Sequence, residues 1–231
     1  MMRIYGIQKV TLLDYPDRTA CTLFFGGCNL RCPFCHNASL VRLDARPIDE
    51  GEVFEYLKKR KNLLGGVCVS GGEPLIHPEI GELLSQLKEL GYDVKLDTNG
   101  TNPSRLKELV ERGLVDYVAI DIKSSPEGYP AAVGVPGFDV TPVDESIKLM
   151  LGGAVDYEFR TTAVRGLHTL QDFTSIGDWI AGAKRYFIQN YSGMGDILSG
   201  GEGLSPFEES ELRAFLAVVS PKVEYAALRG D

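Results

Sequence analysis

"GGCNLRCPFCHN", residues 26–37, sets three cysteines, Cys28, Cys32 and Cys35, in the spacing C-x3-C-x2-C. A structural zinc ion or a cubane iron–sulfur cluster ordinarily takes four protein ligands, so the stretch is one ligand short. The apolar run "ACTLFF" (20–25) leads into it and predicts a strand that opens onto a cysteine loop.

Working outward, the same order recurs: strand, polar or glycine-rich turn, amphipathic helix. "GVCVS" (66–70) leads through "GGEP" to a helix from about Pro78 to Leu90, whose Ile80, Leu83, Leu84, Leu87 and Leu90 fall on one face. "YDVKLD" (92–97) precedes "TNPSRLKELVERG", where Asn102 suits an N-cap, Pro103 a first turn and Gly113 a stop. "DYVAID" (116–121), "VDYEFRTT" (155–162) and "KRYFIQ" (184–189) predict further strands, and "VEYAAL" a terminal one. Helices are expected over 49–62, 142–151, 170–182 and 206–219. Such alternation predicts parallel sheet built from right-handed βα units. Six units suit 231 residues, since a full eight-unit barrel takes about 250. The expected fold is therefore α/β: an incomplete (βα)6 TIM-like barrel with parallel strands, one compact domain over residues 1–231.

Composition narrows the function. The chain is 44% hydrophobic and 24% charged, and no run of eighteen apolar residues predicts a membrane span. "MMRIYGIQKVTLLDYPDRTA" has no apolar core of signal-peptide length, so a cytoplasmic location is expected, with no membrane partner. A net charge of −8 argues against nucleic acid as a partner. Five cysteines without an export signal argue against a disulfide framework. Cys21 and Cys68 lie inside predicted strands and read as core packing.

Every unusual polar motif follows a predicted strand: the cysteine triad, Gly71-Gly72-Glu73-Pro74, Asp97-Thr98-Asn99-Gly100, Asp121-Ile122-Lys123, Arg160-Thr161-Thr162 and Gln189-Asn190. Ligands of parallel α/β folds bind at those strand ends, so the motifs should face one cavity. Singly, each has an ordinary reading: "SGGEP" and "DTNG" as turns, Asp121 and Lys123 as an ion pair on one strand face. The missing ligand has two readings. His36 could complete a zinc site, although it directly follows Cys35. Alternatively, three thiolates bind three irons of a 4Fe–4S cluster and leave the fourth open. The Pro- and Gly-rich 124–137 reads as a plain surface loop or as a mobile segment at the cavity mouth. His77 and His168 read as loop or cap residues, and Trp179 as core.

The cysteine spacing, with Phe34 before the last cysteine, resembles that of the radical S-adenosylmethionine superfamily. Within it the chain resembles the glycyl-radical-enzyme activating enzymes, above all the activating proteins of anaerobic ribonucleoside-triphosphate reductase. That likeness rests on "KVTLLDYPDRTACTLFFGGCNLRCPFCHN" (9–37), "SGGEP" (70–74), "DTNG" (97–100) and "DIK" (121–123), and more weakly on "LRG" (228–230). No second cysteine cluster lies between the first loop and Asp49, so no ferredoxin-like insert is expected.

The resemblance implies that Cys28, Cys32 and Cys35 hold a 4Fe–4S cluster whose open iron is chelated by S-adenosylmethionine. Phe34, Gly71, Gly72 and Glu73 would lie against that cofactor. Asp97, Thr98 and Asp121 would hold a monovalent cation beside its carboxylate, and Lys123 would pair with the carboxylate. Arg160 and Gln189, by position, would touch its methionyl or adenosine part. An electron from the cluster would yield a 5′-deoxyadenosyl radical, which takes a hydrogen from a glycine Cα of a partner. The implied partners are a glycyl radical enzyme, an anaerobic ribonucleotide reductase, and a one-electron reductant such as flavodoxin or ferredoxin. Other readings are an activator of the pyruvate formate-lyase type, a small-molecule enzyme such as a deazapurine synthase, and a non-enzymatic electron carrier, which needs a fourth cysteine ligand.

Overall fold

In the computed structural model, which describes residues 4–44 and 46–229, eight strands form one sheet in chain order. Gly230 of "LRG" and the ends of the expected 1–231 domain lie outside the described residues. Strand β1 (Ile4–Thr11) runs antiparallel to β2 (Ala20–Phe25). From β2 onward every pairing is parallel: β3 (Gly66–Gly71), β4 (Asp93–Thr98), β5 (Tyr117–Asp121), β6 (Asp156–Ala163), β7 (Tyr186–Asn190) and β8 (Ala226–Leu228). The crossovers carry α1 (Ala38–Arg42), α2 (Glu50–Arg60), α3 (Ile80–Glu89), α4 (Pro103–Glu111), α5 (Tyr129–Val133), α6 (Thr141–Leu151), α7 (Leu170–Trp179) and α8 (Glu209–Val219). Six β-to-helix units are thus present, and β1 and β8 are the two unjoined edges of an open barrel.

Local chemistry accounts for the helix starts. The Asp49 carboxylate accepts from Glu52 N at 3.1 Å, with Glu50 and Glu52 in the first turn of α2 and Lys58, Lys59 and Arg60 in its last. Asn102 caps α4 by accepting from Arg105 N at 3.2 Å, with Pro103 following. Thr169 and Asp172 form a reciprocal capping box at α7. Helix α3 starts at Ile80, later than Pro78, because Pro74–Ile76 first make a 3₁₀ turn.

The two faces of the sheet differ. Leu23 and Phe25, Val67 and Val69, Val94 and Leu96, and Val118 and Ile120 point outward into one apolar core beneath the helices. Apart from Phe24, Tyr117 and Ala119, the alternate residues pointing inward are mostly polar: Thr22, Cys68, Ser70, Lys95, Asp97, Asp121, Glu158, Arg160 and Thr162. Cys21 and Cys68 are both fully buried, as expected, but only Cys21 joins the apolar cluster. Cys68 shares the inner face with Lys95, whose Nζ lies 3.9 Å from its sulfur.

Residues 124–137 also depart from expectation. Ser124, Ser125, Tyr129, Ala132 and Val133 are buried, and α5 forms there. The Val133 carbonyl accepts from Arg31 N at 2.9 Å, so this segment is packed against the cysteine loop.

Helices α7 and α8 meet through Phe173 and Phe215, stacked at 4.3 Å between ring centroids. Phe173→Ala should cost about 3–5 kcal/mol in urea unfolding, as for other buried aromatics. Leu13→Ala, at a side chain 84% exposed, should stay within about 0.5 kcal/mol of the parent.

Candidate active site

The cysteine loop leaves β2 and folds back over the ends of the parallel strands. Cys35 N donates to Cys32 O at 3.1 Å, and Leu30 N donates to Cys28 Sγ at 3.4 Å. The Arg31 guanidinium fixes the carbonyls of Cys28 and Leu30, at 2.6 and 2.8 Å. A distant segment clasps the far side: Leu198 N donates to Cys35 O, and Ser199 N to Pro33 O, at 3.1 and 3.2 Å. Burial pushes the Cys32 thiol up to about 12, against the pull of Lys123, and raises that of Cys28.

All three cysteines line one cavity of about 230 Å³, as do Phe34, Gly71, Gly72, Asp97, Thr98, Asp121, Lys123, Arg160 and Gln189. The strand-end motifs therefore converge as their positions predict. Gly72 makes the approach of β2 and β3 ends possible: a Cβ there would stand 1.8 Å from the Gly27 carbonyl oxygen. Asn37, which the sequence reading passed over, donates to the Gly71 carbonyl at 3.0 Å and joins the cysteine loop to the glycine turn.

Glu73 is the exception among the expected residues. It is fully buried and does not line the cavity. Its carboxylate accepts from Leu75 N, Thr98 Oγ1 and Asn99 N at 3.0, 2.7 and 2.7 Å, which binds the end of β3 to that of β4. Burial raises its carboxyl to about 7 in spite of these donors. In this position it braces the glycine turn from behind the cavity.

The expected cation site is also altered. Asp97 Oδ1 is paired with the Lys95 ammonium, and its Oδ2 accepts from Ser70 Oγ at 3.1 Å and Arg160 Nη1 at 3.3 Å. Asp121 accepts from Arg160 Nε at 2.8 Å and Lys123 Nζ at 3.0 Å. The Thr98 hydroxyl is turned to Glu73. Burial would raise both aspartates, but Arg160, with Lys95 or Lys123, overrides it and holds them below the usual carboxylate range. These carboxylates are already neutralised by side chains, so the trio does not fit a monovalent metal ion.

The donor set does fit an iron–sulfur cluster. Three thiols line one cavity, beside the Gly71–Gly72 backbone, which packs so closely on Phe25 and Gly27 that it admits no side chain. Among the described residues no three His, Cys, Asp or Glu side chains gather as they would around a single metal ion. In a cubane, by contrast, each thiolate takes a different iron. Arg160 sits between two carboxylates, and Gln189 Nε2 donates to Thr162 Oγ1 at 2.9 Å.

His168 has a place that its sequence context did not suggest. Val164 N donates to its Nδ1 at 3.0 Å, which leaves Nε2 to donate to the Lys123 carbonyl at 2.8 Å. It thereby positions Lys123. Burial lowers its pKa from 6.5, so below pH 6.5 the unfolded chain binds a proton that the folded chain refuses. The His168 contribution is lost as pH drops below 6.5, against the opposite contribution of Glu73, whose raised carboxyl gains a proton on folding. The stability of wild type relative to His168→Gln, in urea unfolding measured across pH, should therefore fall below pH 6.5.

Comparison with known proteins agrees with this geometry. The profile of the radical SAM superfamily matches residues 22–168, from β2 to His168. A protein of Methanocaldococcus jannaschii, provisionally named a glycyl-radical enzyme activating enzyme, is 29% identical over 98% of this chain and 95% of its own. The pyruvate formate-lyase-activating enzyme of Clostridium pasteurianum is 34% identical over 60% of this chain and 61% of its own. Among solved structures, Streptococcus suis SuiB bound to S-adenosylmethionine shares the fold with a TM-score of 0.66 at 18% identity, over 88% of this chain and 48% of that one. The matched span takes in the cysteine loop, the glycine turn and the Asp97 and Asp121 strand ends alike, and the chain belongs to the radical SAM superfamily.

Proposed function

We propose that this protein is an activase that cleaves S-adenosylmethionine reductively and takes a hydrogen from a glycine Cα of a partner enzyme, leaving a glycyl radical there. Membership of the superfamily implies a 4Fe–4S cluster and S-adenosylmethionine. The observation that carries the reading is the meeting of the Cys28, Cys32 and Cys35 thiols with the Gly71–Gly72 backbone and the Lys123 ammonium in one cavity. A reduced cluster held by those thiols, with one open iron, would supply the electron that breaks the S–C5′ bond.

The chain's own residues would do the rest. The Gly71–Gly72 turn would receive the amino group of S-adenosylmethionine at its backbone carbonyls. Lys123, oriented by Asp121 and by His168, would pair with the carboxylate. Leu30, Phe34 and Val41 give the cavity an apolar wall that excludes water. The unjoined edges of the sheet leave a side by which a glycine-bearing loop of a macromolecule could enter. Similarity along nearly the whole chain to a protein named for glycyl-radical enzyme activation favours such a partner. The stretch 9–37 supports an anaerobic ribonucleoside-triphosphate reductase as that partner, with flavodoxin or ferredoxin as the electron source, in the cytoplasm. Residues 1–231 would act as one domain without a ferredoxin-like insert. Among the described residues no helix is long and apolar enough to cross a membrane.

After anaerobic reconstitution, electron paramagnetic resonance of the reduced protein should show a 4Fe–4S signal that changes on adding S-adenosylmethionine. Cys28→Ala, Cys32→Ala and Cys35→Ala should each abolish cleavage, whereas Cys21→Ala should keep iron and cleavage. With an anaerobic ribonucleotide reductase present, a glycyl radical doublet should appear. Turnover that yields no such doublet but consumes a small molecule would replace this reading.

A further inference from the structure

The inner face of β4 carries a lysine that the proposed chemistry does not use. Lys95 is wholly buried, two residues before Asp97 and on the same side of the strand. Its ammonium is paired with Asp97 Oδ1, and its other neighbour is the Cys68 sulfur at 3.9 Å. Beside it stands a set of paired charges. The carboxylates are Asp97, Asp121 and Glu158, and the cations paired with them are Lys95, Lys123, Arg160 and Arg229. Asp97, Asp121 and Glu158 are each already paired with a cation, so none of the three is an uncompensated carboxylate for a metal ion. A metal ion at Asp97 and Asp121 would also stand against three ammonium or guanidinium groups that already hold those carboxylates.

We propose that Lys95 is a built-in replacement for a monovalent cation at Asp97. Its tethered ammonium keeps the Asp97 carboxylate compensated and in place, so that the face presented to the S-adenosylmethionine carboxylate forms without any metal ion. The role toward S-adenosylmethionine rests on the activase reading; the replacement of the ion does not. A buried ammonium with one carboxylate partner is costly to maintain unless its charge is needed there. A bound potassium ion is lost when its concentration falls, whereas a side chain stays.

The test compares salts. Potassium chloride and sodium chloride supply ions small enough for such a site, and tetramethylammonium chloride at equal ionic strength does not. Reconstituted wild type should bind S-adenosylmethionine with the same affinity, within about twofold, in all three. Lys95→Met keeps an unbranched side chain one atom shorter and removes its charge. It should bind at least about tenfold more weakly in tetramethylammonium chloride and recover in potassium or sodium chloride. Thermal unfolding of the cluster-free protein gives a second readout. Potassium should raise the midpoint of Lys95→Met over its value in tetramethylammonium and leave that of wild type unmoved. Lys95→Gln serves in the same way if Lys95→Met does not fold. A wild type whose affinity or midpoint depends on potassium or sodium overturns the proposal, as do variants indifferent to the salt. Wild type that binds no S-adenosylmethionine in any salt counts against the activase reading alone, because the unfolding comparison still decides the place of Lys95.

Discussion

Arg160 ties three strands together from inside the barrel. From β6 its guanidinium reaches Asp121 on β5 and Asp97 on β4, and it lies 3.8 Å from Glu158 on its own strand. None of these groups can be left alone, since a buried ion without its partner costs about 3–5 kcal/mol. The set is therefore interdependent: Glu158 needs Arg229 and the Tyr117 hydroxyl, Asp121 needs Lys123, and Asp97 needs Lys95. What looks like a row of separate motifs along the chain is one continuous ionic lining, and the cavity is the place where it meets the thiols.

That lining sets limits on what sequence shows. Parallel strands covered on both faces ordinarily read as unbroken apolar runs. Here "YDVKLD" and "VDYEFRTT" alternate instead, and the polar motifs at their ends show where a site lies without saying which charges would meet. The strand-end motifs, the caps at Asp49 and Asn102 and the apolar face of α3 were all legible, because each depends on residues a few positions apart. Strand β1 was not, since its burial follows no clean alternation along an edge. Helix α5 hides in a Pro- and Gly-rich stretch, held by packing rather than by period. The inward side of Cys68 and the turn of Glu73 toward Thr98 were not legible for one reason: the direction of a side chain is decided by neighbouring strands, not by its own motif.

The cysteine loop extends the point. Its spacing is local, but its shape is not. Carbonyls of Pro33 and Cys35 are held by residues 198 and 199, and Arg31 is held by Val133. Arg42 pairs with Asp196 at 2.6 Å across the same gap. A loop with three thiols and no regular structure of its own is held in place by contacts from the second half of the chain.

An open barrel has two free sheet margins, and free margins invite pairing between molecules. Strand β8 offers only three residues for such pairing. Strand β1 is longer, but its register slips between Ile4 and Gly6 and again between Gln8 and Thr11, and it carries Lys9. Short length, bulges and an edge lysine are the devices by which natural sheets resist edge-to-edge aggregation. The gap between β1 and β8 is thus bordered by strands unsuited to stacking, so the barrel can stay open without becoming a seed for precipitation.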